Sequence, residues 1–407
     1  MTKGDSEPPA DDQHPSADTE SVGTVRFGQI LAYFLKLGAI GFGGPIATVG
    51  YMQRDLVERR RWMDRQDFLD GVALGQTMPG PLAAQVAMWI GFLRRGSVGA
   101  AAVAAAFVAP SFAIVVAVGV LYSHYSSSRV VQSLFYGIGP AVMAIITIAA
   151  IKLVRMTDRK DSRLWGISAA VFALTALTGS EPVLVIVGAG LLMILLDARP
   201  RIRFRRRKPP DDIAGTESNN PKSMPFIFGL GTLAGGGTLA SLAWFFLKTG
   251  AVVFGSGLAI VPFMRAGVVD HHHWLTDSQF LDSVAIGLIT PGPVVISAGF
   301  IGYLVAGLPG AIVSALAIFT PIYLGVVVPG RWFLRHRDNA QLRAFVAGAT
   351  AAAGGALCGA VVVLTRQAVT DWVTAGIAVV TLGVLWRFKI NEPYVVVATG
   401  ALGLLLH

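Results

Sequence analysis

The chain has 407 residues, of which 54% are hydrophobic and only 14% are charged, and its formal net charge at pH 7 is +9. Ordinary soluble proteins have a charged share nearer a quarter, so this composition excludes them and indicates a membrane protein. Apolar stretches such as 98–121, 130–153 and 310–328 are each long enough to cross about 30 Å of hydrocarbon as helices. The alternating pattern of a membrane β-barrel is not seen. We therefore predict an all-α polytopic membrane protein.

One membrane unit occurs twice along the chain. Residues 34–52 read FLKLGAIGFGGPIATVGYM and residues 246–264 read FLKTGAVVFGSGLAIVPFM. Residues 62–81, WMDRQDFLDGVALGQTMPGP, recur as 274–293, WLTDSQFLDSVAIGLITPGP. These matches predict the following domains: a disordered acidic tail at 1–24, a first repeat at 25–196, a basic cytoplasmic linker at 197–224 and a second repeat at 225–407.

The first repeated element is rich in glycine and interrupts an apolar helix. It consists of Gly41, Phe42, Gly43, Gly44 and Pro45 in the first copy and of Phe254, Gly255, Ser256 and Gly257 in the second. Glycines inside a membrane helix let backbone amides turn toward a ligand, and an opened helix start presents unpaired N–H groups with a positive dipole end. An anion is the natural ligand. The alternative interpretation is close helix packing through small residues.

The second repeated element is a Pro-Gly-Pro between two short apolar pieces, 67–78 with 82–93 and 279–290 with 294–305. Proline removes a backbone donor and disrupts the preceding turn, which predicts paired half-helices. The half-helix N-termini would then point at the membrane midplane, unless the breaks only shape the fold. The residues concerned are Pro79, Gly80 and Pro81, then Pro291, Gly292 and Pro293, with Gln85 and Ser297 near the starts of the second halves.

A broken crossing helix and a hairpin that enters and leaves on one side both fit this pattern. Short cytoplasmic loops collect Lys and Arg, and the hairpin alternative places most of these residues on one side. We therefore expect five crossings and one re-entrant hairpin in each copy, with the glycine-rich element inside the first crossing. The basic loop 59–61 of the first copy corresponds to three histidines, 271–273, in the second copy. Because equivalent loops of the two copies differ in their content of Lys and Arg, we predict that the second copy is inverted in the membrane, as is common in transporters.

Three cations lie close to these elements. Lys36 and Lys248 occupy matched positions inside apolar helices, where a charge is costly unless it pairs, snorkels to the surface or serves a transport pathway. Both the snorkelling and the functional interpretation remain open. Arg54, at the predicted cytoplasmic mouth, is suited to recruiting an anion. The matched Asp70 and Asp282 are interpreted as hydrogen-bond partners at the hairpin mouths in preference to proton carriers.

Several function classes lack their signatures. The chain has no nucleotide-binding loop, catalytic triad or zinc motif, so the sequence indicates neither an ATP-driven pump nor an enzyme, and no cofactor or metal is predicted. The adjacent histidines 271–273 do not converge as helix-spaced metal ligands do. The basic run 199–208 marks the cytoplasmic face beside a membrane helix and does not indicate nucleic acid. The single Cys358 is interpreted as a buried small hydrophobe.

With the FGGP of 42–45, the RRRW of 59–62 and the QTMPGP of 76–81, the chain resembles the chromate ion transporter (CHR) superfamily in its long two-domain bacterial form. The resemblance covers nearly all of residues 27–407. It implies a multi-pass protein of the bacterial inner membrane that expels chromate and confers chromate resistance, with sulfate as a look-alike ligand. In the second copy, FGSG stands where the family more often has a triple glycine, and HHHW replaces the basic-Trp motif.

The residues and the resemblance together predict a secondary transporter that binds chromate or a sulfate-like oxyanion between its repeats. Membrane potential, a proton gradient or both would drive export. The alternatives are a transporter, including an importer, of sulfate or another oxyanion, a channel-like anion pore, and a membrane scaffold or receptor that does not transport. Besides the oxyanion, membrane lipids are the expected partners, and a homodimer is left open.

Overall fold

The computed structural model describes residues 25–42, 44–159, 161–178, 183–197, 237–252, 257–330, 332–333, 339–388 and 390–406. Within these ranges all regular structure is helical. The first copy contains α1 (Phe27–Ile40), α2 (Gly44–Met52) with a π-helical turn (Gln53–Arg59), α3 (Arg65–Thr77), α4 (Leu82–Tyr125), α5 (Arg129–Asp158), α6 (Ser162–Thr178) and α7 (Val183–Asp197). The predicted tail and nearly all of the predicted linker lie outside the described residues.

The second copy repeats this order. It contains α8 (Thr238–Ala251), a 3₁₀ turn (Gly257–Ile260), α9 (Val261–Arg265) with a π-helical turn (Ala266–His271), α10 (Asp277–Ile289), a 3₁₀ turn (Val294–Ile296), α11 (Ser297–Val327), α12 (Ala340–Ala368), α13 (Trp372–Arg387) and α14 (Glu392–Leu406). Within the described part of the chain, four segments are long and apolar enough to cross a membrane: Leu82–Tyr125, Arg129–Asp158, Val294–Val327 and Ala340–Ala368. The predicted all-α membrane fold is confirmed.

The starts of α3 and α10, and the breaks of α4 and α11, match residue by residue between the two copies. Asp64 caps α3 by accepting a hydrogen bond from the Gln66 amide at 2.7 Å, and Thr276 caps α10 at the equivalent position. Helix α4 breaks at Arg95 and Gly96, where the φ angles are −143° and 60°. Helix α11 breaks at 306–307 with φ angles of −143° and 61°. Duplication is therefore visible in the backbone as well as in the sequence.

The Pro-Gly-Pro segments are the tips of hairpins, as predicted. The Trp89 indole N–H donates to the Asp67 carbonyl at 2.9 Å, so the first part of α4 (82–94) runs antiparallel to α3. Gly91 and Gly99 contact each other across the break, so the long part of α4 (97–125) turns back again. Each hairpin thus enters and leaves at one face, and the chain crosses the molecule only afterwards. Gly302 and Gly310 make the same contact in α11.

The first element differs from the predicted crossing. The Tyr33 ring in α1 contacts the Trp62 ring, with 6.4 Å between centroids, and its hydroxyl donates to the Tyr51 carbonyl at 3.4 Å. These contacts require α2 and its π-helical turn to fold back along α1. Phe245 contacts the Trp274 ring at 5.7 Å in the second copy. The glycine break, where Gly44 has a φ of 74°, permits this reversal because glycine adopts positive φ without steric cost.

Each copy consequently has two folded-back helix pairs and four crossings, the long part of α4 or α11 and the three helices that follow it. We call the end of the molecule that carries Arg60, Arg94 and Arg95 the basic face. Arg26 belongs to this face, because the Arg95 guanidinium lies 4.7 Å from the centroid of the neighbouring Phe27 ring.

The two copies are inverted relative to each other. The Tyr323 hydroxyl, near the end of α11, donates to the Ser97 carbonyl at the start of the long part of α4, at 3.0 Å. Gly119, near the end of α4, packs against Tyr303 beside the break in α11. Equivalent helices therefore run antiparallel, which confirms the predicted inverted repeat. The copies also exchange helices, since α5 packs against α13 and α14 while α12 packs against α6 and α7.

Candidate functional site

A cavity of about 550 Å³ lies beside the glycine break of the first copy. The end of α1 contributes Gly41 and Phe42, and the start of the π-helical turn contributes Arg54 and Asp55. The second copy closes the cavity with Ile289 and with the first turns of α14. We call this the Arg54 cavity. It lies in the half of the molecule next to the basic face.

A second cavity, of about 930 Å³, occupies the equivalent place in the second copy. Its lining residues Thr249, Val252, Phe263, Ala266 and Gly267 are the counterparts of Leu37, Ile40, Tyr51, Arg54 and Asp55 in the Arg54 cavity. We call it the Lys248 cavity, after another of its lining residues. Because the copies are inverted, it lies next to the face opposite the basic face.

The two cavities carry different charges. The Arg54 side chain is half exposed, its guanidinium lies 5.4 Å from the centroid of the Tyr51 ring, and its Nε is 3.8 Å from an Asp55 carboxylate oxygen. Such a loose contact leaves its donors accessible. The counterpart position holds Ala266, which has no charge. The Arg54 cavity therefore offers a cation where the Lys248 cavity offers a methyl group.

The cations of the Lys248 cavity are held differently. Arg265 is buried and bonds the carboxylates of Asp270 at 2.7 Å and Asp277 at 2.8 Å, so its charge is compensated. The Lys248 ammonium lies 5.6 Å from the centroid of the Trp244 ring. His272 stacks on Trp274 with 4.2 Å between ring centroids. Burial, and then the nearby charges of His271 and Lys248, lower the pKa of His272, which favours its neutral form at pH 7.

Between the cavities, the tip of one copy meets the glycine break of the other. The Gly292 amide of the second Pro-Gly-Pro donates to the Gly41 carbonyl of the first break over 3.4 Å. Reciprocally, a Cβ added at Gly257 would lie 3.9 Å from the Cβ of Pro81 and 4.0 Å from that of Val294. Gly80 and Gly292 have φ angles of 143° and 100°, which favour glycine. We call this region the junction. It separates the two cavities.

Two predicted polar residues are buried at or near the junction. Gln85 donates from its amide nitrogen to the Pro79 carbonyl at 2.9 Å, while its side-chain oxygen is unpaired within the described part of the chain. Ser297 contacts the sulfur of Met264 at 4.0 Å. Sequence reasoning missed a third residue, Ser111, whose hydroxyl packs against Gly292. The signal that could have found it is that Pro110 and Pro321 occupy equivalent positions, and the next residue is serine in the first copy but isoleucine in the second.

The other predicted site residues do not all lie at the cavities or the junction. Lys36 is exposed on α1 and lines neither of the two cavities, unlike its counterpart Lys248. Gly44 begins α2, and Pro45 follows it in the same helix. Gly43, Gly255 and Ser256 lie outside the described residues. The prolines at the hairpin tips, Pro79, Pro81, Pro291 and Pro293, flank the glycines of the junction.

The chromate transporter family model matches residues 28–194 and again residues 240–404, once for each structural repeat. The chain belongs to the chromate transporter family. A chromate transport protein of Cupriavidus metallidurans is 44% identical over 402 residues, which covers 98% of each chain. A probable chromate transport protein of Synechococcus elongatus is 46% identical over 381 residues, which covers 93% of this chain and 95% of that protein.

An uncharacterized transporter of Methanocaldococcus jannaschii is 33% identical over 303 residues, which covers 72% of this chain and 73% of that protein. No solved structure matches the chain significantly. As a member of the family, the protein is a multi-pass membrane transporter, and the family's name indicates an oxyanion substrate. The resemblance seen in the sequence is thereby confirmed.

Proposed function

We propose that this protein exports chromate from the cytoplasm across the bacterial inner membrane by alternating access, and so confers chromate resistance. The observation that carries the proposal is the pair of equivalent cavities on opposite sides of one junction. An inverted repeat can exchange the conformations of its two halves, which opens one cavity while it closes the other. A substrate held at the junction would then be accessible from one face at a time.

The donors around the junction suit a tetrahedral dianion. Chromate has four oxygens and, when fully ionised, accepts hydrogen bonds without donating any. The predicted donors are the amides after Pro81 and Pro293, at the starts of buried half-helices whose dipoles favour negative charge. Arg54 provides the accessible cation in the cavity next to the basic face. An anion arriving from the cytoplasm would meet this charge first.

The membrane potential favours export as the working direction. Arg54 attracts anions to the cavity next to the basic face, and Lys248 attracts them in the cavity at the opposite face. A dianion that moves outward across an inside-negative membrane gains about 2.3 kcal/mol per charge for every ~100 mV, hence roughly 4 to 5 kcal/mol. Membrane potential alone can therefore drive efflux, and a proton gradient would add to it.

Everted membrane vesicles test this function, because export appears there as chromate uptake. We expect energised vesicles that contain the protein to accumulate chromate with saturable kinetics. Arg54→Gln should lower the initial rate at low chromate by about tenfold, since it removes the capturing charge. Arg59→Gln is the matched control, because Arg59 lies on the same π-helical turn but does not line the cavity.

Three results would contradict the proposal. Chromate uptake by right-side-out vesicles alone would indicate an importer. Flux that fails to saturate would indicate an anion pore. The same vesicles should be challenged with sulfate, since donors arranged for a tetrahedral dianion also suit sulfate. Uptake of sulfate in preference to chromate would reassign the cargo while the transport mechanism stays the same.

A further inference from the structure

Ser111 is a buried hydroxyl without a hydrogen-bond partner within the described part of the chain. It lies in α4 directly after Pro110 and is 0% exposed. Serine inside a helix commonly donates to the carbonyl four residues earlier, but this hydroxyl does not. A buried polar group left unpaired costs about 1–3 kcal/mol, so such a group needs a reason.

The hydroxyl faces Gly292 at the tip of the second hairpin. A Cβ added at Gly292 would collide with the Ser111 oxygen, so the two residues are in direct contact. Gly292 has the only N–H of its Pro-Gly-Pro, because proline has none. That N–H donates to the Gly41 carbonyl over 3.4 Å, which is long for an N–H···O bond. A residue with an unused O–H donor thus contacts a residue whose N–H donor is only weakly used.

The equivalent tip in the first copy lacks this pair. The counterpart of Ser111 is Ile322, and a Cβ added at Gly80 would lie 2.9 Å from the Cγ2 of Ile322. The duplicated scaffold is the same at both tips, but only the second tip has a hydroxyl. The two hairpin tips therefore differ in the hydrogen-bond donors that the other copy presents to them.

We propose that the Ser111 hydroxyl and the Gly292 amide form an oxyanion subsite at the tip of the second hairpin. A fully ionised tetrahedral oxyanion only accepts hydrogen bonds, so it can use both donors together with the amides at the start of the following half-helix. Separation of Gly41 from Gly292 when the junction opens would free the Gly292 N–H for the anion. The inference rests on the proposed function and deepens it, because it places the specificity of the site on one copy.

Equilibrium dialysis of radiolabelled chromate against the purified full-length protein in lipid nanodiscs tests the subsite. We expect Ser111→Ala to raise the Kd for chromate by about tenfold to a hundredfold, since a hydrogen bond to a charged group is lost. The Kd for sulfate should rise by a similar factor. Thermal unfolding of the same samples shows that the variant is folded.

Two control variants separate donation from packing. Ile322→Val trims one methyl group at the equivalent tip, and Ser314→Ala removes another unpaired buried hydroxyl, which lies in α11 beside Gly302. Both should bind chromate as the wild type does. The subsite is overturned if Ser111→Ala binds chromate normally, or if either control weakens binding as much. A wild-type protein that binds neither anion would overturn the proposed function itself.

Discussion

Lys248 lines one of the two cavities, whereas its counterpart Lys36 lines neither and is exposed. The sequence treats Lys36 and Lys248 alike, because both follow the same Phe-Leu pair in the repeat. Only a charge that points into the aqueous pathway lowers the energy of an anion there. At Lys36, the flexible four-carbon stem allows the ammonium to reach the interface instead. We therefore propose the functional interpretation for Lys248 and the snorkelling interpretation for Lys36.

This assignment makes a matched pair of predictions. Lys248→Ala should slow chromate export by about fivefold, because it removes on the order of 1 kcal/mol of attraction from the cavity. Lys36→Ala should export at close to the wild-type rate. Initial rates in everted vesicles, normalised to the amount of protein, measure both. A severe loss from Lys36→Ala with a normal Lys248→Ala would reverse the assignment.

At the scale of elements, the copies are joined by hydrogen bonds between tyrosine and aspartate. The Tyr122 hydroxyl of α4 donates to the Asp282 carboxylate of α10 at 2.6 Å, and this pair is buried. The Tyr136 hydroxyl of α5 donates to Asp371 at the start of α13 at 2.7 Å, but this pair is exposed. The first bond attaches the second hairpin to a crossing helix of the other copy. Phe333, the counterpart of Tyr122, has no hydroxyl with which to do the same.

Removing these two hydroxyls should have unequal effects on stability. Tyr122→Phe leaves the buried Asp282 carboxyl without its donor and should cost about 1–3 kcal/mol. Tyr136→Phe should cost less than about 1 kcal/mol, because water replaces the lost donor at an exposed site. Equilibrium unfolding of the purified protein in mixed detergent micelles measures both. Equal destabilisation would mean that the Tyr122 bond contributes no more than a surface contact.

At the scale of the whole molecule, inversion and the folded-back first pair determine which face each loop occupies. Arg95 and Ala306 are equivalent residues at the breaks of α4 and α11, and they lie at opposite faces. Arg26 lies at the same face as Arg95 if α1 and α2 fold back on each other. A single crossing through α1 and α2 would place Arg26 opposite Arg95.

Cysteine labelling distinguishes these topologies. Cys358 is the single native cysteine, so Cys358→Ala provides a background without thiols. On that background, Arg26→Cys and Arg95→Cys should react with an impermeant reagent only in everted vesicles, and Ala306→Cys only in intact cells. Labelling of Arg26→Cys in intact cells would restore the five-crossing arrangement. Labelling of Ala306→Cys and Arg95→Cys from one face would contradict the inverted repeat.

The class of protein, its duplication, the Pro-Gly-Pro hairpins and the family could all be predicted from the amino-acid sequence. These properties follow from local chemistry, since a long apolar stretch must form a helix in lipid and a Pro-Gly-Pro must interrupt one. The preference of Lys and Arg for cytoplasmic loops also predicted that the second copy is inverted. Gly41, Arg54, Gly257 and the Pro-Gly-Pro residues were predicted for the site, and the structure places them around the cavities and the junction.

Three features could be read only from the folded chain. They are the return of α2 along α1, the lysine that lines a cavity, and the contact of Ser111 with Gly292. A glycine break allows both a bend and a reversal, and only the contact of Tyr33 with Trp62 distinguishes them. Lipid is as apolar as the protein interior, so a membrane helix shows little difference in polarity between its buried and exposed faces. Ser111 and Gly292 belong to different copies and are far apart along the chain, so no local sequence pattern predicts their contact.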